Sequence, residues 1–343
     1  MTLRMPAACL AALVCAAAPP PAATVETLLA EVRAGLAAHR IDRDLARLVR
    51  SVNLTEKLDD DVVEQLESEG AGRQTLDELE RQQSLSIGLP LPAHPPRLFN
   101  PPARPSEAEQ SESLEAAQRL ALQYSRGLPD FLCTEIMHRY EDSKRTEHWK
   151  TVDTLTVAVR YSSQSGEDYQ LAAINGKKTH QTLESLGGST SEGEFGSALQ
   201  YLFTSSTAAR FHWERWANLR GRMVEVFSYS IDEAHSKYHM SFEFDGRGYR
   251  LTPAVRGAVY LERGSHRVLR LRIEGDNFPP GFPILRSPSV LDYQEAEIAG
   301  QRFLLPSRAV ARVVTRKDQT RNVMEFSEYR KFTSDTSITF GKP

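Results

Sequence analysis

From Phe131 onward the apolar residues of this chain recur at every second position, and no other feature constrains the fold as much. Leu155, Val157, Val159 and Tyr161 alternate with Thr156, Ala158 and Arg160. Tyr238, Met240, Phe242 and Phe244 alternate with His239, Ser241 and Glu243, and Leu269, Leu271 and Ile273 with Arg270, Arg272 and Glu274. Further segments of this kind lie at 167–174, 209–217, 222–231, 255–262, 289–297, 302–315 and 321–332. Arg263-Gly264-Ser265-His266 and Ala299-Gly300-Gln301 are hairpin signals between them. About ten or eleven successive strands, each with one apolar face, predict a large curved antiparallel sheet of the half-barrel kind. The fold class is therefore α+β.

The first third of the chain has a different period. Val25, Leu28, Leu29, Val32 and Leu36 recur at helical spacing, as do Leu45, Leu48, Val49 and Val52, then Val62, Val63 and Leu66, then Leu76 and Leu79. Residues 24–84 carry eight basic and fourteen acidic side chains, so the segment reads as an acidic helical bundle. Residues 85–105 hold seven prolines, no acid and two arginines, the composition of a semi-rigid linker. Ser106 to Arg126 then forms one amphipathic helix, with Leu114, Ala117, Leu120, Ala121 and Tyr124 on a face. A second helix interrupts the strands at 194–204, introduced by a Ser191/Glu194 capping box. Residues 106–340 are thus expected to form one β domain with two covering helices.

At the N-terminus Arg4 precedes an unbroken small and apolar run from Ala7 to Ala18, with cleavage-compatible alanines up to Ala23. This reads as a signal peptide over 1–23, the alternative being a retained anchor. The run falls short of the roughly 20 residues of a membrane span, so the mature chain is expected to be exported, periplasmic or extracellular, with no transmembrane segment. Cys133 is then the one cysteine left. It sits in an apolar strand without a motif to supply a base, and reads as a small core residue.

Composition and motifs exclude several classes. A formal charge of −3 over 343 residues gives no footprint for nucleic acid. Gly70-Ala71-Gly72 resembles the hairpin of a helix-hairpin-helix DNA module, but its acidic surroundings favour a helix cap and tight turn. Gly187-Gly188 belongs to no phosphate-binding motif, and neither a nucleophile elbow nor an H-E-x-x-H occurs. His235 and His239 lie four apart in a strand-like segment, which spreads them too far for a shared metal. No metal or cofactor is therefore expected. Glu135, Glu141, Asp292 and Glu295 are candidate carboxylates that the sequence gives no reason to pair. Trp213 is in phase with Phe211 and reads as core. Trp216 is out of phase, placed on the opposite face or at a rim, and Phe278 and Phe282 flank a proline-stiffened apolar loop that packs under the sheet or forms a lip.

Five segments carry a resemblance over residues 110 to 340: Leu128-Pro129-Asp130-Phe131-Leu132-Cys133, Leu183-Glu184-Ser185-Leu186-Gly187-Gly188, Trp213-Glu214-Arg215-Trp216, Leu291-Asp292-Tyr293 and Leu304-Leu305-Pro306. They resemble a group of exported bacterial proteins of uncharacterised role. In strand order and helices that group looks like the lipoprotein-sorting half-barrel family (LolA/LolB-like). The resemblance implies a curved antiparallel sheet folded around helices, with acyl chains held in its apolar hollow. No binding residue of the family is carried over, and the bundle at 24–84 is additional to it.

Three functional expectations follow. The first is a non-enzymatic module that binds a lipid, an acyl chain or an apolar protein segment in the hollow. Its wall would be Leu155, Val157, Val159, Tyr238, Met240, Phe242, Phe244, Leu269, Leu271 and Ile273, with Trp216, Phe278 and Phe282 at the rim. The second is an envelope scaffold with a filled core, engaging a protein partner through the acidic bundle. The third is an enzyme of unrecognised type.

Overall fold

The computed structural model describes residues 22–186, 197–244 and 247–332. The chain divides into two compact units, one ending at Arg97 and the other beginning at Leu98.

The first unit contains α1 (Val25–Ala37), α2 (Asp42–Arg50), α3 (Asp60–Ser68) and α4 (Arg73–Ser86), with a short parallel pair of β1 (Ala22–Ala23) and β2 (Asn53–Leu54). Thr24 caps α1 by accepting from the Thr27 N–H at 3.2 Å. The apolar stripes read from the sequence converge here: Val25, Leu28, Val32, Val49, Leu66 and Leu79 are all fully buried. Asp60 and Asp61 lie in the first turn of α3, where the helix dipole favours acids. Gly70, at a φ of +98°, ends α3 as the cap reading requires. The helix-hairpin-helix alternative fails on geometry. The Gln74 and Thr75 N–H groups at the start of α4 already donate to the Asp42 carboxylate, at 2.8 and 3.0 Å, and are not available to a phosphate.

The second unit opens with α5 (Glu107–Gly127), whose N-terminus carries a Ser106/Glu109 capping box. There follow β3 (Phe131–Asp142), β4 (Lys150–Ser162), β5 (Gly166–Ile174), β6 (Lys177–Lys178), the short helix α6 (Ser197–Phe203), β7 (Arg210–Leu219) and β8 (Arg222–Ile231). The chain continues through β9 (Met240–Phe244), β10 (Arg247–Leu251), β11 (Ala254–Glu262), β12 (Val268–Asp276), β13 (Ile284–Arg286), β14 (Pro288–Ile298), β15 (Gln301–Thr315) and β16 (Gln319–Lys331). The Ser191/Glu194 box expected before α6 lies outside the described residues.

Twelve of these strands form one curved, unclosed antiparallel sheet in the order β6-β5-β4-β3-β16-β15-β14-β12-β11-β8-β7, with β13 pairing β15. Three of its hairpins turn on residue pairs that are both left-handed, Asn175-Gly176, Arg220-Gly221 and Ala299-Gly300, which is the turn that matches strand twist. β9 and β10 stand apart as a two-stranded hairpin. This corrects the expectation that Tyr238 to Phe244 is a wall strand. Ile231 at the end of β8 pairs directly with Val255 of β11, so the intervening segment is an excursion from the sheet.

One face of the sheet carries the main core. Leu271, Leu291, Ala309, Met324, Met137, Leu155 and Ile174 are directly opposed across successive strands and make one apolar row from β12 to β5. Against this inner face pack Ala117 and Ala121 of α5 and Leu199, Leu202 and Phe203 of α6. Cys133 is buried in the same cluster. The outer face has a smaller cluster of Ala217, Leu219, Val224, Val226, Tyr260 and Leu269. Gly257 permits one close approach on the inner side: Tyr229 crosses it to donate its hydroxyl to the Arg272 carbonyl at 2.8 Å, and a Cβ there would lie 2.6 Å from that hydroxyl.

Candidate functional site

The inner face and its two covering helices form the candidate site. Leu155, Val157, Val159 and Leu271 have no exposed surface, and with Ile273 they belong to the main cluster. Tyr238, although outside the sheet, packs against the same cluster. Met240 is half-buried on β9, with Sδ 3.8 Å from Ser287 Oγ. Phe242 and Phe244 are also on β9, and their side chains lie outside the described residues. Leu269 departs from the expected wall. β11 and β12 slip by one residue between Tyr260 and Leu261, so Leu269 becomes the extra residue and joins the outer cluster.

A second slip changes the tryptophans. Trp213 pairs with Phe227 and Trp216 with Glu225, because Glu214 is bulged out of register. Phe227 and Glu225 are two apart on β8, so both tryptophans share the inner face. Trp216 is thus not on the opposite face. It is buried, its Nε1 donates to the Ala103 carbonyl at 3.0 Å, and Arg263 lies 5.5 Å over its ring. Phe278 and Phe282 stack on one another at 5.5 Å, and Phe282 meets Tyr249 edge-on.

A cleft of about 280 Å³ opens between the two covering helices. Leu114 and Gln118 of α5 line one side. Leu202, Phe203 and the turn after α6 line another, and Phe211 at the start of β7 closes the floor. Phe203 and Phe211 stack at 5.7 Å, and Gln118 donates from Nε2 to the Phe203 carbonyl at 2.8 Å. Sequence reasoning placed Leu114 on an apolar helix face and Phe211 in phase with Trp213, and assigned none of the cleft residues a site. Periodicity reports which face is buried, not where two helices leave a gap.

Both ends of α5 meet polar groups of the sheet interior. At its N-terminal end Ser113 donates to Glu225, at 3.3 Å. Burial raises the Glu225 carboxyl above its ordinary range, only partly offset by Ser113 and by the charges of His266 and Arg263. At the C-terminal end burial pushes the Tyr124 hydroxyl well up.

No protein-family model matches this chain, and no curated protein matches it in sequence. Solved structures do. An outer membrane lipoprotein-sorting protein domain from Vibrio parahaemolyticus is similar at 13% identity, over 66% of this chain and 94% of that one, with a TM-score of 0.35. A DUF1329 family protein from Desulfovibrio piger is similar at 10% identity, over 65% and 95%, with a TM-score of 0.33. The lipoprotein LppX of Mycobacterium tuberculosis is similar at 9%, over 67% and 99%, with a TM-score of 0.24. The lipoprotein-sorting architecture that the sequence resembles is thus among the structures this chain is similar to.

The remaining candidates do not converge. Asp292 is on the outer face, in a buried ion pair with Arg270, whereas Glu135 is on the inner face between Cys133 and Met137. Glu295 pairs with Arg267 and Arg302. His235 sits in an exposed short turn and His239 bonds Thr252. Among the described residues no cluster of metal-ligating side chains forms, and no helix is long and apolar enough to cross a membrane.

Proposed function

We propose that this protein is an exported, non-enzymatic module that binds a lipid or acyl chain between its inner sheet face and the helices α5 and α6. One observation carries the reading. The floor of the cleft, Leu202, Phe203 and Phe211, belongs to or packs on the same apolar cluster as the inner-face wall. Parting α6 from α5 would therefore join the cleft to the interior without crossing a polar layer, and an acyl chain would replace helix contacts with equivalent apolar ones.

The test is extraction of natively purified protein with organic solvent and mass spectrometry of what co-purifies, with uptake of a fluorescent acyl-chain probe in parallel. The comparison variant is Leu114→Glu with Phe211→Glu, both half-buried cleft positions. Stoichiometric lipid that the variant loses, with circular dichroism unchanged, supports the reading. Absence of both lipid and uptake overturns it.

A second reading is favoured by the zero exposure of Leu155, Val157, Val159 and Leu271. A core already filled by its helices describes an envelope scaffold, with the acidic helical unit engaging a protein partner. That reading gains if the extraction is empty.

A further inference from the structure

The turn between β3 and β4 is folded around two carboxylates. Asp142 accepts from the Lys144 and Thr146 N–H groups, at 3.0 and 2.6 Å. Glu147 accepts from Arg312 at 2.7 Å, from Gln319 at 3.1 Å and from the Trp149 indole at 3.2 Å. Arg145 and Glu147 both take left-handed backbone, at φ of +55° and +59°, which residues with a side chain rarely adopt. The product of this uncommon conformation is the position of Trp149. Its ring centre lies 5.1 Å from the Arg312 guanidinium and 4.9 Å from that of Arg321.

Arg312, Arg321 and Tyr140 are directly opposed across β15, β16 and β3, on the outer face of the sheet. Like charges placed opposite one another destabilise a sheet, and only one of these two is compensated. Arg312 donates to Glu147 and to Gln319, at 2.7 and 2.9 Å. Arg321 forms neither an ion pair nor a hydrogen bond with any described residue. Its guanidinium instead lies 4.9 Å from the ring centres of both Tyr140 and Trp149, and its Nε is sealed from solvent. Ring contacts orient a guanidinium without using its N–H donors, so the terminal fork is held in place and unspent. The surroundings add to the imbalance. Segments 139–150 and 312–321 carry eight Lys and Arg against four Asp and Glu, and of these acids Asp142 and Glu147 are buried.

We infer that Arg321 and Arg312, flanked by Trp149 and Tyr140, form a site for a phosphate monoester on the outer face of the sheet. The Arg321 fork would donate to two terminal oxygens of the phosphoryl group, with the third directed toward Arg312. A carboxylate has two oxygens, and one fork occupies both. The site is on the opposite face from the cleft, so it does not rest on the acyl-chain reading. Soluble phosphate esters and the head of phosphatidate present the same group.

Line broadening in phosphorus NMR spectra measures binding of sn-glycerol 3-phosphate to the full chain. Flotation with phosphatidylcholine vesicles, with and without phosphatidate, measures binding to the lipid form. Arg321→Gln should weaken glycerol 3-phosphate about tenfold, and Arg321→Lys, which keeps the charge and loses the fork, roughly fivefold, both with circular dichroism unchanged. Arg160 is likewise an arginine over a ring, 5.9 Å from Phe332, about 30 Å along β4 from Thr151, the cross-strand neighbour of Tyr140. Arg160→Gln should leave binding unchanged. Acetate should compete about tenfold more weakly than the ester. Phosphatidate-dependent flotation that Arg321→Gln abolishes supports the inference with a lipid head as the source. Binding of the soluble ester without flotation supports it with a soluble source. Absence of both, equal losses in Arg321→Gln and Arg160→Gln, an Arg321→Lys variant indistinguishable from wild type, or acetate binding as tight as the ester overturns it.

Discussion

Asp42 fills the space that a side chain on Gly72 would occupy. A Cβ built on Gly72 would lie 2.4 Å from the Asp42 carboxyl carbon, and that carboxylate accepts from Gln74, Thr75 and the Thr75 hydroxyl. The N-cap of α4 is therefore supplied from α2, thirty-odd residues away, because Gly72 has no side chain to provide it.

Asp42→Ala should destabilise the helical unit by about 1–2 kcal/mol, the usual cost of a lost cap. Gly72→Ala should also destabilise it by displacing the carboxylate. The hydrogen bonds outweigh burial and hold Asp42 below its ordinary carboxylate range. Its contribution is thus present above the unfolded pKa and lost as pH falls through the lower folded one. Amide exchange at Gln74 and Thr75, followed downward in pH, checks this; protection there unchanged in Asp42→Ala would refute it.

Asp292→Asn should cost more, about 3–5 kcal/mol, because Arg270 would be left buried without its counter-charge. Arg270 contacts both carboxylate oxygens, at 2.6 and 3.0 Å, and Arg220 lies 3.7 Å away. Burial opposes the ionised form, but Arg270, Arg220 and Arg308 together hold Asp292 below its usual range. This stability too disappears only in acid, as pH falls through the depressed folded value. Urea unfolding of wild type and variant at neutral pH measures the loss, and a difference under 1 kcal/mol would contradict it.

Glu225 should respond in the opposite direction. Its folded pKa is raised by burial, so the stability associated with its protonated form is complete below the ordinary glutamate value of 4.5 and declines as pH rises through the folded value. Glu225→Gln should flatten that decline, and Ser113→Ala should steepen it, because the Ser113 bond favours the ionised carboxylate and its loss costs most at the higher pH values. Melting temperatures of the three proteins between pH 4 and 8 provide the test. Parallel curves for wild type and Glu225→Gln would show that the carboxyl does not titrate in this window.

The strands and helices were largely legible because each is amphipathic: the stripe Val25-Leu28-Val32 and the alternation Leu155-Val157-Val159 each name a buried face without further information. What failed was parity at slips. Leu269 and Leu271 read as one face, and Trp213 and Trp216 as two, because counting by twos assumes an unbroken ladder. Hydrogen-bond register against β11 and β8 decides both cases, and register is a property of two strands, not one. Tyr238 to Phe244 alternates as well as any wall strand, yet pairs only within its own hairpin. The cleft and the outer-face arginine site depend on residues far apart in the chain, such as Trp149 and Arg321, which no local pattern can bring together.

The bulge at Glu214 has a consequence for how this chain can vary. Substitution at position 214 should cost little, since the residue has no register partner in β8 and loses only an exposed hydrogen bond from the Ser228 hydroxyl at 2.6 Å. Length follows the same logic. Deleting Glu214 would leave the two tryptophans two positions apart on an even ladder, with Trp216 still opposite Glu225 on the inner face and its bond to Ala103 retained. Among descendants of this sequence, loss of the residue at 214 should therefore be better tolerated than loss of Arg215 together with it, which would turn Trp216 to the other face.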